Sequence, residues 1–487
     1  MKNRTRVKRI SIAICLLLAA AMLLTACGGS PNTGNGTSEQ TTRQPADTSE
    51  TGSGWVPPEE YGIKLDNLNV DGTLKGQYAG QKITLITSGG DFEPAVKEAS
   101  GIFEQLSGAK VEIQAFPWEE LTQKIQLGLN SGGQFDNIIM PVAFNRGYQE
   151  AGLLADLDEL MSKYGAPGYD INDFIPAVLD AYGKDNGKLF AIPYKADVFV
   201  LFYRKDLLED PAQQQKFKEK TGKDLKVPET PDEMKQVAEF FTKSLNPESP
   251  IDYGFCTQGL KGSSRWMWTS RLGYYGGNLF DADMKPGFNN DAGVKSMQFA
   301  LDLMKYAPKE FMQIGYDELN LLFTDGDVFM AEQWPGLYLA TQAEGSKVKG
   351  KVGYAVTPGQ KPTTGGWSAS IAKNAQNPEV AWKFTEFMTS KDGEIIKIKN
   401  TMDPCRTSNY EREGIKNLSE MYPALLKSLQ SGTVLADPPV PYISAKLNDI
   451  YEKWTQDAYS GKIGAQEAIK SMSADVENEM KQAGLTK

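Results

Sequence analysis

Short apolar strands alternate with amphipathic helices between residues 82 and 142, and this alternation limits the possible folds more than any other feature of the chain. The strand patterns cover residues 82–87, 110–116 and 137–142, and the helical patterns cover 94–106 and 118–129. In the second helix, Leu121, Ile125 and Leu129 recur at the spacing of one buried helix face. The order strand–helix–strand–helix–strand predicts an α/β domain with a parallel sheet covered by helices.

In such sheets, ligands bind beyond the carboxyl ends of the strands. The loops at residues 89–91 and 141–146 are therefore candidate pocket loops. Further long helical patterns lie at residues 232–245, 291–306, 378–389, 418–429 and 441–459. A chain of 487 residues exceeds the size of one hydrophobic core, so we expect two or more domains.

The N-terminus has the pattern of an export signal. An apolar run at residues 10–24 follows five basic residues, which are Lys2, Arg4, Arg6, Lys8 and Arg9. The sequence Leu24-Thr25-Ala26-Cys27 after it resembles the lipobox of bacterial lipoproteins, which predicts a signal peptide at 1–26 and acylation of Cys27. The alternative is an uncleaved transmembrane anchor, but this run is shorter than the roughly 20 residues that span a bilayer.

Residues 27–60 are predicted to form the lipidated Cys and a disordered linker, because residues 28–54 consist mainly of Gly, Ser, Thr and Pro without a large apolar side chain. A lipid anchor followed by a linker would hold the remaining chain on the extracellular face of the cell membrane.

Composition excludes several function classes. Loss of the signal removes five of 52 basic and none of 62 acidic side chains, so the formal charge falls from −10 to −15. Such an acidic chain is unsuited to nucleic acid. The chain has no histidine, which excludes Ser-His and Cys-His catalysis and histidine zinc sites. No metal and no cofactor are predicted, although catalysis by paired carboxylates stays open.

Two cysteines, Cys256 and Cys405, remain in the exported part of the chain beyond Cys27. An oxidising compartment favours a disulfide between them. Two separate buried thiols are an equally supported alternative, because spacing in the sequence cannot show whether the two cysteines lie close together.

Several motifs share the order found in one known family. They are GKLFAIPY at 187–194 with LFYRKDL at 201–207, YYGGNLF ending at 280, FTDGDVFM at 323–330 with Trp334-Pro335, GGWSASIAKN at 365–374 with NPEVAWKF at 377–384, GLLADL at 152–157, and Pro404-Cys405-Arg406. From about residue 81 to the C-terminus, the chain resembles the family 1 extracellular solute-binding proteins of ABC importers, the group that includes maltose-binding protein.

The resemblance implies a fold of two α/β lobes joined by a hinge, as in periplasmic binding proteins. Lobe 1 would comprise residues 81–195 plus 370–412, and lobe 2 residues 198–363 plus 418–487. It also implies a monomeric receptor, not an enzyme, that binds a carbohydrate between the lobes and delivers it to the membrane subunits of an ABC importer. The alternatives are another solute (a polyamine, ferric ion or glycerol phosphate ester) or an anchored glycan-cleaving enzyme.

Sugars present flat C–H faces and a rim of hydroxyls, so a receptor needs aromatic rings and planar polar groups. Tryptophans near loops or element ends would supply the aromatic rings. For each of them, the alternative is a buried position in the core of its lobe. These candidates are Trp118, Trp266, Trp334 and Trp367. The resemblance places Trp266 at a stacking position and Asp197 at a ligand-binding carboxylate of the hinge. Asp91 and Arg406 complete the predicted site.

Overall fold

The computed structural model describes residues 68, 72–90, 92–132, 134–185, 187–431, 434–435, 438, 440 and 443–486. The predicted signal peptide, the predicted acylation of Cys27 and the predicted linker at 27–60 all fall outside these residues. No helix among the described residues has the length and apolarity needed to cross a bilayer.

The strands of the described residues are, in chain order, β1 (Lys82–Ser88), β2 (Lys110–Phe116), β3 (Asn137–Pro141), β4 (Lys184–Asp185), β5 (Lys188–Leu189), β6 (Ile192–Lys195), β7 (Val200–Arg204), β8 (Tyr253–Cys256), β9 (Val328–Gln333), β10 (Val352–Val356), β11 (Thr363–Thr364), β12 (Trp367–Ile371) and β13 (Val434–Leu435).

The α-helices are α1 (Phe92–Ser107), α2 (Trp118–Ser131), α3 (Asn145–Glu150), α4 (Leu157–Tyr164), α5 (Pro176–Gly183), α6 (Lys205–Leu208), α7 (Pro211–Thr221), α8 (Pro231–Phe240), α9 (Trp266–Leu272), α10 (Asp291–Leu303), α11 (Tyr316–Asp325), α12 (Leu337–Gln342), α13 (Pro378–Thr389), α14 (Gly393–Lys399), α15 (Thr407–Glu411), α16 (Tyr422–Gln430), α17 (Ser444–Tyr459) and α18 (Ala465–Gln482). Short 3-10 turns lie at Val142–Phe144, Ile171–Asp173, Met304–Tyr306 and Phe311–Gln313.

Lobe 1 is built on a five-stranded sheet in the order β2-β1-β3-β12-β6. Strands β1, β2 and β3 are parallel, as predicted. Strand β12 is antiparallel to both β3 and β6, so the sheet is mixed rather than purely parallel. The reason is that β12 enters this sheet on the way back from lobe 2. It begins at Trp367, ahead of the boundary at residue 370 that the sequence predicted.

Alternating side chains of β1 fill the space on both faces of this sheet. Ile83 and Leu85 belong to the core on the side of α1, whereas Ile86 packs with α2. Leu121, Ile125 and Leu129 of α2 are buried in that second cluster, which confirms the predicted helix face. Burial of a large aliphatic side chain contributes about 1.5–3 kcal/mol, so both faces stabilise the lobe.

Lobe 2 is built on a four-stranded sheet in the order β10-β7-β9-β8. Strand β7 is antiparallel to β9 and β10, and β8 is parallel to β9. Helices α17 and α18 pack on each other, and α18 also packs against α10. The two-lobe α/β fold that the sequence predicted is therefore present.

The chain passes between the two sheets at residues 196–199 and 357–366. The first crossing leaves lobe 1 at Lys195 and enters lobe 2 at Val200, and the second leaves at Val356 and returns at Trp367. After α15 the chain passes to α16, which packs on β7 and β10 of lobe 2. These connections bring one edge of each sheet to the same hinge.

Candidate functional site

Strand register defines the edge of lobe 1 that meets the hinge. Ser88 pairs with Phe116 at the carboxyl ends of β1 and β2, and Pro141 at the end of β3 pairs with Trp367. Trp367 in turn pairs with Lys195, the last residue of β6. Side chains and loops beyond this edge are therefore positioned for binding, as expected of an α/β sheet.

The two crossings are joined by backbone hydrogen bonds. Val198 and Thr364 form an isolated antiparallel bridge, and the amide of Phe199 donates to the carbonyl of Thr363 at 3.0 Å. The carbonyl of Asp197 accepts from the amide of Gly365 at 2.9 Å and from the hydroxyl of Thr364 at 2.9 Å. The hinge is thus held largely by main-chain groups.

Gly366 has a conformation and a neighbour that both require glycine. Its φ of 29° lies in the region that L side chains rarely adopt, and a Cβ atom there would overlap the ring of Tyr182. The Tyr182 hydroxyl is within hydrogen-bond distance of the Thr364 hydroxyl and lies 3.4 Å from the Asp197 carbonyl. Tyr182 therefore packs directly against the hinge.

A cavity of about 400 Å³ lies beside the hinge, between segments of both lobes. Lobe 1 and the hinge contribute Lys195, Asp197 and the segment from Ile398 to Asp403. Lobe 2 contributes Trp334, Pro335, Gly336, Tyr316, Tyr338, Leu339 and a segment that ends at Tyr422. We call this space the hinge cavity. It brings together two of the residues that the sequence predicted, Asp197 and Trp334.

Asp197 presents a carboxylate oxygen without a protein partner. Its Oδ2 atom lies 3.3 Å from Nζ of Lys195, whereas Oδ1 is buried and accepts no hydrogen bond from the described residues. The side chain is 15% exposed. A buried acceptor without a partner costs free energy, and a ligand hydroxyl would remove that cost.

Trp334 belongs to an aromatic cluster on the lobe 2 side. Its ring centroid lies 4.3 Å from that of Phe199 and 5.1 Å from that of Trp266, which meets it edge-on. It also covers Gly365, where an added Cβ would lie 3.1 Å from the tryptophan ring. Aromatic packing of this kind fixes the orientation of the ring that faces the cavity.

Trp266 borders a different depression, together with Arg265, Asn448 and Glu452. The Arg265 guanidinium lies 4.8 Å from the Trp266 ring centroid and pairs with Glu452 at 2.9 Å. The indole N–H of Trp266 is buried and donates to no described residue. Trp266 therefore supports Trp334 edge-on and borders its own depression, but it does not line the hinge cavity.

Trp367 lies on the lobe 1 side. Its ring packs against Phe92 with centroids 4.3 Å apart, and Nζ of Lys195 lies 5.8 Å from the Phe92 centroid. Asp91, the other candidate on this edge, lies outside the described residues, and so does the side chain of Trp118, whose backbone begins α2.

Asp403 is a cavity residue that sequence reasoning missed. Its side chain is buried, with 8% of the residue exposed, and it has neither a hydrogen bond nor an ion pair with the described residues. Burial raises the pKa of this carboxyl to about 7; Lys195 and Lys397 oppose the shift and Asp197 adds to it. No local sequence pattern predicts a buried carboxyl at this position, because Asp403 and Lys195 come close together only in the tertiary fold.

A second cavity, of about 340 Å³, also has walls from both lobes. Asn145 and Arg146 border it from the predicted pocket loop after β3, and Asn278 and Asp281 border it from lobe 2. Asn145 donates to the Tyr182 carbonyl at 2.6 Å and to the Ser368 hydroxyl at 2.7 Å. The candidate loop at residues 141–146 thus does line a cavity.

Arg406 does not reach either cavity, so its predicted cleft position is wrong. It is fully buried, and its guanidinium donates to the carbonyls of Thr389 and Asp170 at 2.6 Å each and approaches Asp173 at 3.4 Å. The ring of Phe174 lies 4.0 Å away. These contacts hold the segment before the third passage of the chain on lobe 1.

The predicted disulfide is also wrong. Cys256 and Cys405 are both free and buried. Cys256 ends strand β8 of lobe 2, whereas Cys405 lies 3.7 Å from Nζ of Lys397 and follows helix α14, which packs against α1 of lobe 1. Burial raises the pKa of each thiol to about 12.

A hinge with cavities between two α/β lobes defines a two-lobe binding protein. Comparison with known protein families identifies which binding proteins these are. Residues 84–395 match the model of the bacterial extracellular solute-binding proteins, and the chain belongs to that family. No cluster of metal-ligating side chains is present in the part of the chain that the structure describes.

Relatives of known or assigned ligand differ among themselves. A mannitol-binding protein of Pseudomonas aeruginosa is 25% identical over 444 residues, which cover 84% of this chain and 95% of the relative. A probable amino-acid ABC transporter periplasmic-binding protein of Sinorhizobium fredii is 26% identical over 423 residues, 85% of this chain and 93% of the relative.

Solved structures agree on the fold. A solute-binding protein of Agrobacterium vitis with bound D-mannitol is 26% identical with a TM-score of 0.64, covering 83% of this chain and 99% of that one. Maltose-bound MalE3 of T. maritima has 24% identity and a TM-score of 0.64, with 82% and 99% covered. The latter similarity supports the fold alone.

Proposed function

We propose that this protein captures a polyol or sugar between its two lobes and delivers it to the membrane subunits of an ABC importer. The observation that carries the proposal is the hinge cavity, which is lined by both Trp334 and Asp197, a residue whose buried Oδ1 has no hydrogen-bond partner among the described residues. The mannitol-related similarities, at 25% and 26% identity over most of each chain, support the same ligand class.

The chemistry fits a polyhydroxylated ligand. A carboxylate accepts hydrogen bonds from two neighbouring hydroxyls, and an indole face packs against the C–H face of the carbon chain or ring. Because the walls come from both lobes, a ligand gains additional contacts when the lobes close, and those contacts favour the closed state.

The test is a thermal-shift screen followed by calorimetric titration. Alditols, hexoses and short oligosaccharides are compared with amino acids, polyamines, ferric ion and glycerol phosphate. A ligand at 100 times its Kd stabilises the folded state by about 2.7 kcal/mol. Stabilisation by a sugar or polyol, without consumption of the ligand, is the expected result. Stabilisation only by another solute class, or turnover of a chromogenic glycoside, would contradict the proposal.

We also propose that Cys27 is acylated and holds the protein on the extracellular face of the cell membrane. The lipobox-like sequence Leu24-Thr25-Ala26-Cys27 supports this. Cys27→Ala should give an unprocessed precursor that incorporates no labelled fatty acid. Labelling of the variant at the level of the wild type would contradict the anchor. Light scattering of the chain without residues 1–27 tests the proposed monomer.

A further inference from the structure

Asp403 is a carboxyl of the hinge cavity that forms no ion pair with the described residues. Lys195 pairs with Asp197 at 3.3 Å, and Lys399, at the cavity wall, pairs with Glu98 at 2.7 Å. Asp403 has no hydrogen bond or ion pair with any described residue, although 92% of its surface is covered. A buried carboxylate without a partner is a costly arrangement that a cation would relieve.

The opposite wall supplies rings rather than charges. The described residues that lobe 2 contributes to the cavity include Tyr316, Trp334, Tyr338 and Tyr422, and none of them is charged. Aromatic faces attract ammonium groups, and their attraction increases when water is excluded. The described part of the cavity therefore combines a carboxyl that forms no ion pair with an aromatic wall.

We propose that the hinge cavity prefers a polyol or sugar that carries a basic amine, with the ammonium group bound at Asp403. The inference rests on the proposed function, because the hydroxyls of the same ligand would bind at Asp197. A single ammonium group balances the charge: Asp197 and Lys195 already neutralise each other, so one positive charge compensates Asp403.

The preference should depend on pH. The groups that face Asp403 are Lys195, Lys397 and Asp197, together with the Cys405 thiol and the Tyr410 phenol. Burial raises the pKas of the last two groups, so they stay neutral near pH 7. The pKa of Asp403 is about 7 in the ligand-free protein, so its carboxylate forms between pH 6 and 8. The amine of an amino-alditol remains charged in this range, because neighbouring hydroxyls lower its pKa only moderately from the about 10.4 of a plain alkylamine. The amine of an amino-hexose loses part of its charge there, so the pH series uses the alditol pair.

The experiment compares matched ligands by calorimetry. D-Mannitol, D-glucitol, ribitol, D-glucose and D-galactose are each titrated beside their amino counterparts at pH 7.5, and the alditol pair that binds best is then measured from pH 6 to 8. The amine should bind at least about tenfold more tightly, the lower end of a charge-assisted hydrogen bond. The ratio of the affinity for the amine to the affinity for its neutral parent should increase with pH. The affinity for the neutral parent itself should not change.

Asp403→Asn keeps the shape and removes the charge, and it should abolish the amine preference together with its pH dependence. Asp392→Asn is the matched control, because Asp392 is a buried carboxylate paired with Arg412 away from the cavity. It should keep the preference. Ligand-free stability gives a second measurement: a carboxyl with a raised pKa stabilises the fold below its ordinary pKa and loses that contribution as pH rises through about 7. This decline should be smaller in Asp403→Asn.

The outcomes separate the two proposals. If neutral alditols or sugars bind and their amines gain nothing, the inference is overturned while the proposed function stands. If the amine preference survives in Asp403→Asn, the ammonium group binds elsewhere and the inference is also overturned. If no pair binds at all, the inference fails, and the screen that includes short oligosaccharides decides the proposed function. Should Asp403→Asn not fold, the pH profiles of the wild type decide alone.

Discussion

Substitutions of Asp197 separate the role of its side chain from that of its backbone. The backbone carbonyl accepts three of the bonds that join the hinge crossings, from the amides of Gly365 and Gly366 and the hydroxyl of Thr364. The carboxylate, in contrast, contacts only Lys195 among the described residues, at 3.3 Å. Changes of the side chain therefore leave the hinge bonds in place.

The expected magnitudes follow from these contacts. Asp197→Asn keeps an acceptor for Lys195 and removes no hinge bond, so the free energy of unfolding should change by about 1 kcal/mol, the contribution of one hydrogen bond. Asp197→Ala removes charge-assisted bonds to ligand hydroxyls of about 1.5–3 kcal/mol, which weakens binding roughly 10- to 150-fold. Asp197→Asn keeps neutral hydrogen bonds and should lose only about five- to tenfold.

The assay is calorimetric titration with the ligand found by screening, accompanied by urea denaturation of the ligand-free variants. Asp206→Asn is the control, since Asp206 pairs with Arg204 at 2.6 Å at the far end of strand β7. It should keep full affinity. Unchanged affinity in both Asp197 variants would refute the site assignment, and a loss of several kcal/mol in stability would refute the division between backbone and side chain.

Three further results are expected. Trp334→Ala should weaken binding by about 1–3 kcal/mol because an aromatic face of the cavity is lost, whereas Trp454→Ala, outside the cavities, should keep the affinity by calorimetry. Thiol titration should find Cys256 and Cys405 both reactive after denaturation without reductant and both slow in the native protein; a titre of zero would restore the disulfide. Arg406→Ala should lower the free energy of unfolding by about 3–5 kcal/mol, because it leaves buried acceptors unpaired. The folded protein should nevertheless bind the ligand with normal affinity. Weaker binding by the folded protein would argue that Arg406 lies in the cleft.

Local periodicity predicted the elements that depend on local contacts. Strand β2 was expected at residues 110–116 and helix α13 at 378–389, and both have these bounds in the structure. Helix α13 begins with Pro378 at its first position, which is a signal that sequence alone carries. Strand β12, in contrast, lies antiparallel in the first sheet, because its direction depends on the return of the chain from lobe 2.

The site was predictable only in part for the same reason. Asp197 and Trp334 were predicted as binding residues from motif positions; both border the hinge cavity, and their binding role stays a prediction. Asp403 was missed and Arg406 was misplaced, although they lie three residues apart. One faces the hinge cavity, while the other is enclosed by lobe 1. Which side of a short segment faces a cavity depends on packing between elements far apart in the chain, and no local pattern encodes it.

The backbone bonds of the hinge have a consequence for how such a receptor can diversify. The hinge contacts are made by the main chain of residues 197–199 and 363–366 and by a glycine at 366, whereas the proposed recognition would depend on side chains such as Trp334 and Asp403. Lobe movement and ligand recognition would therefore rely on different atoms. New ligand preferences can arise, by evolution or by engineering, through cavity side chains alone while the movement is inherited unchanged. A fluorophore attached across the two lobes would report the movement for each new ligand, which makes this architecture a reusable sensor scaffold.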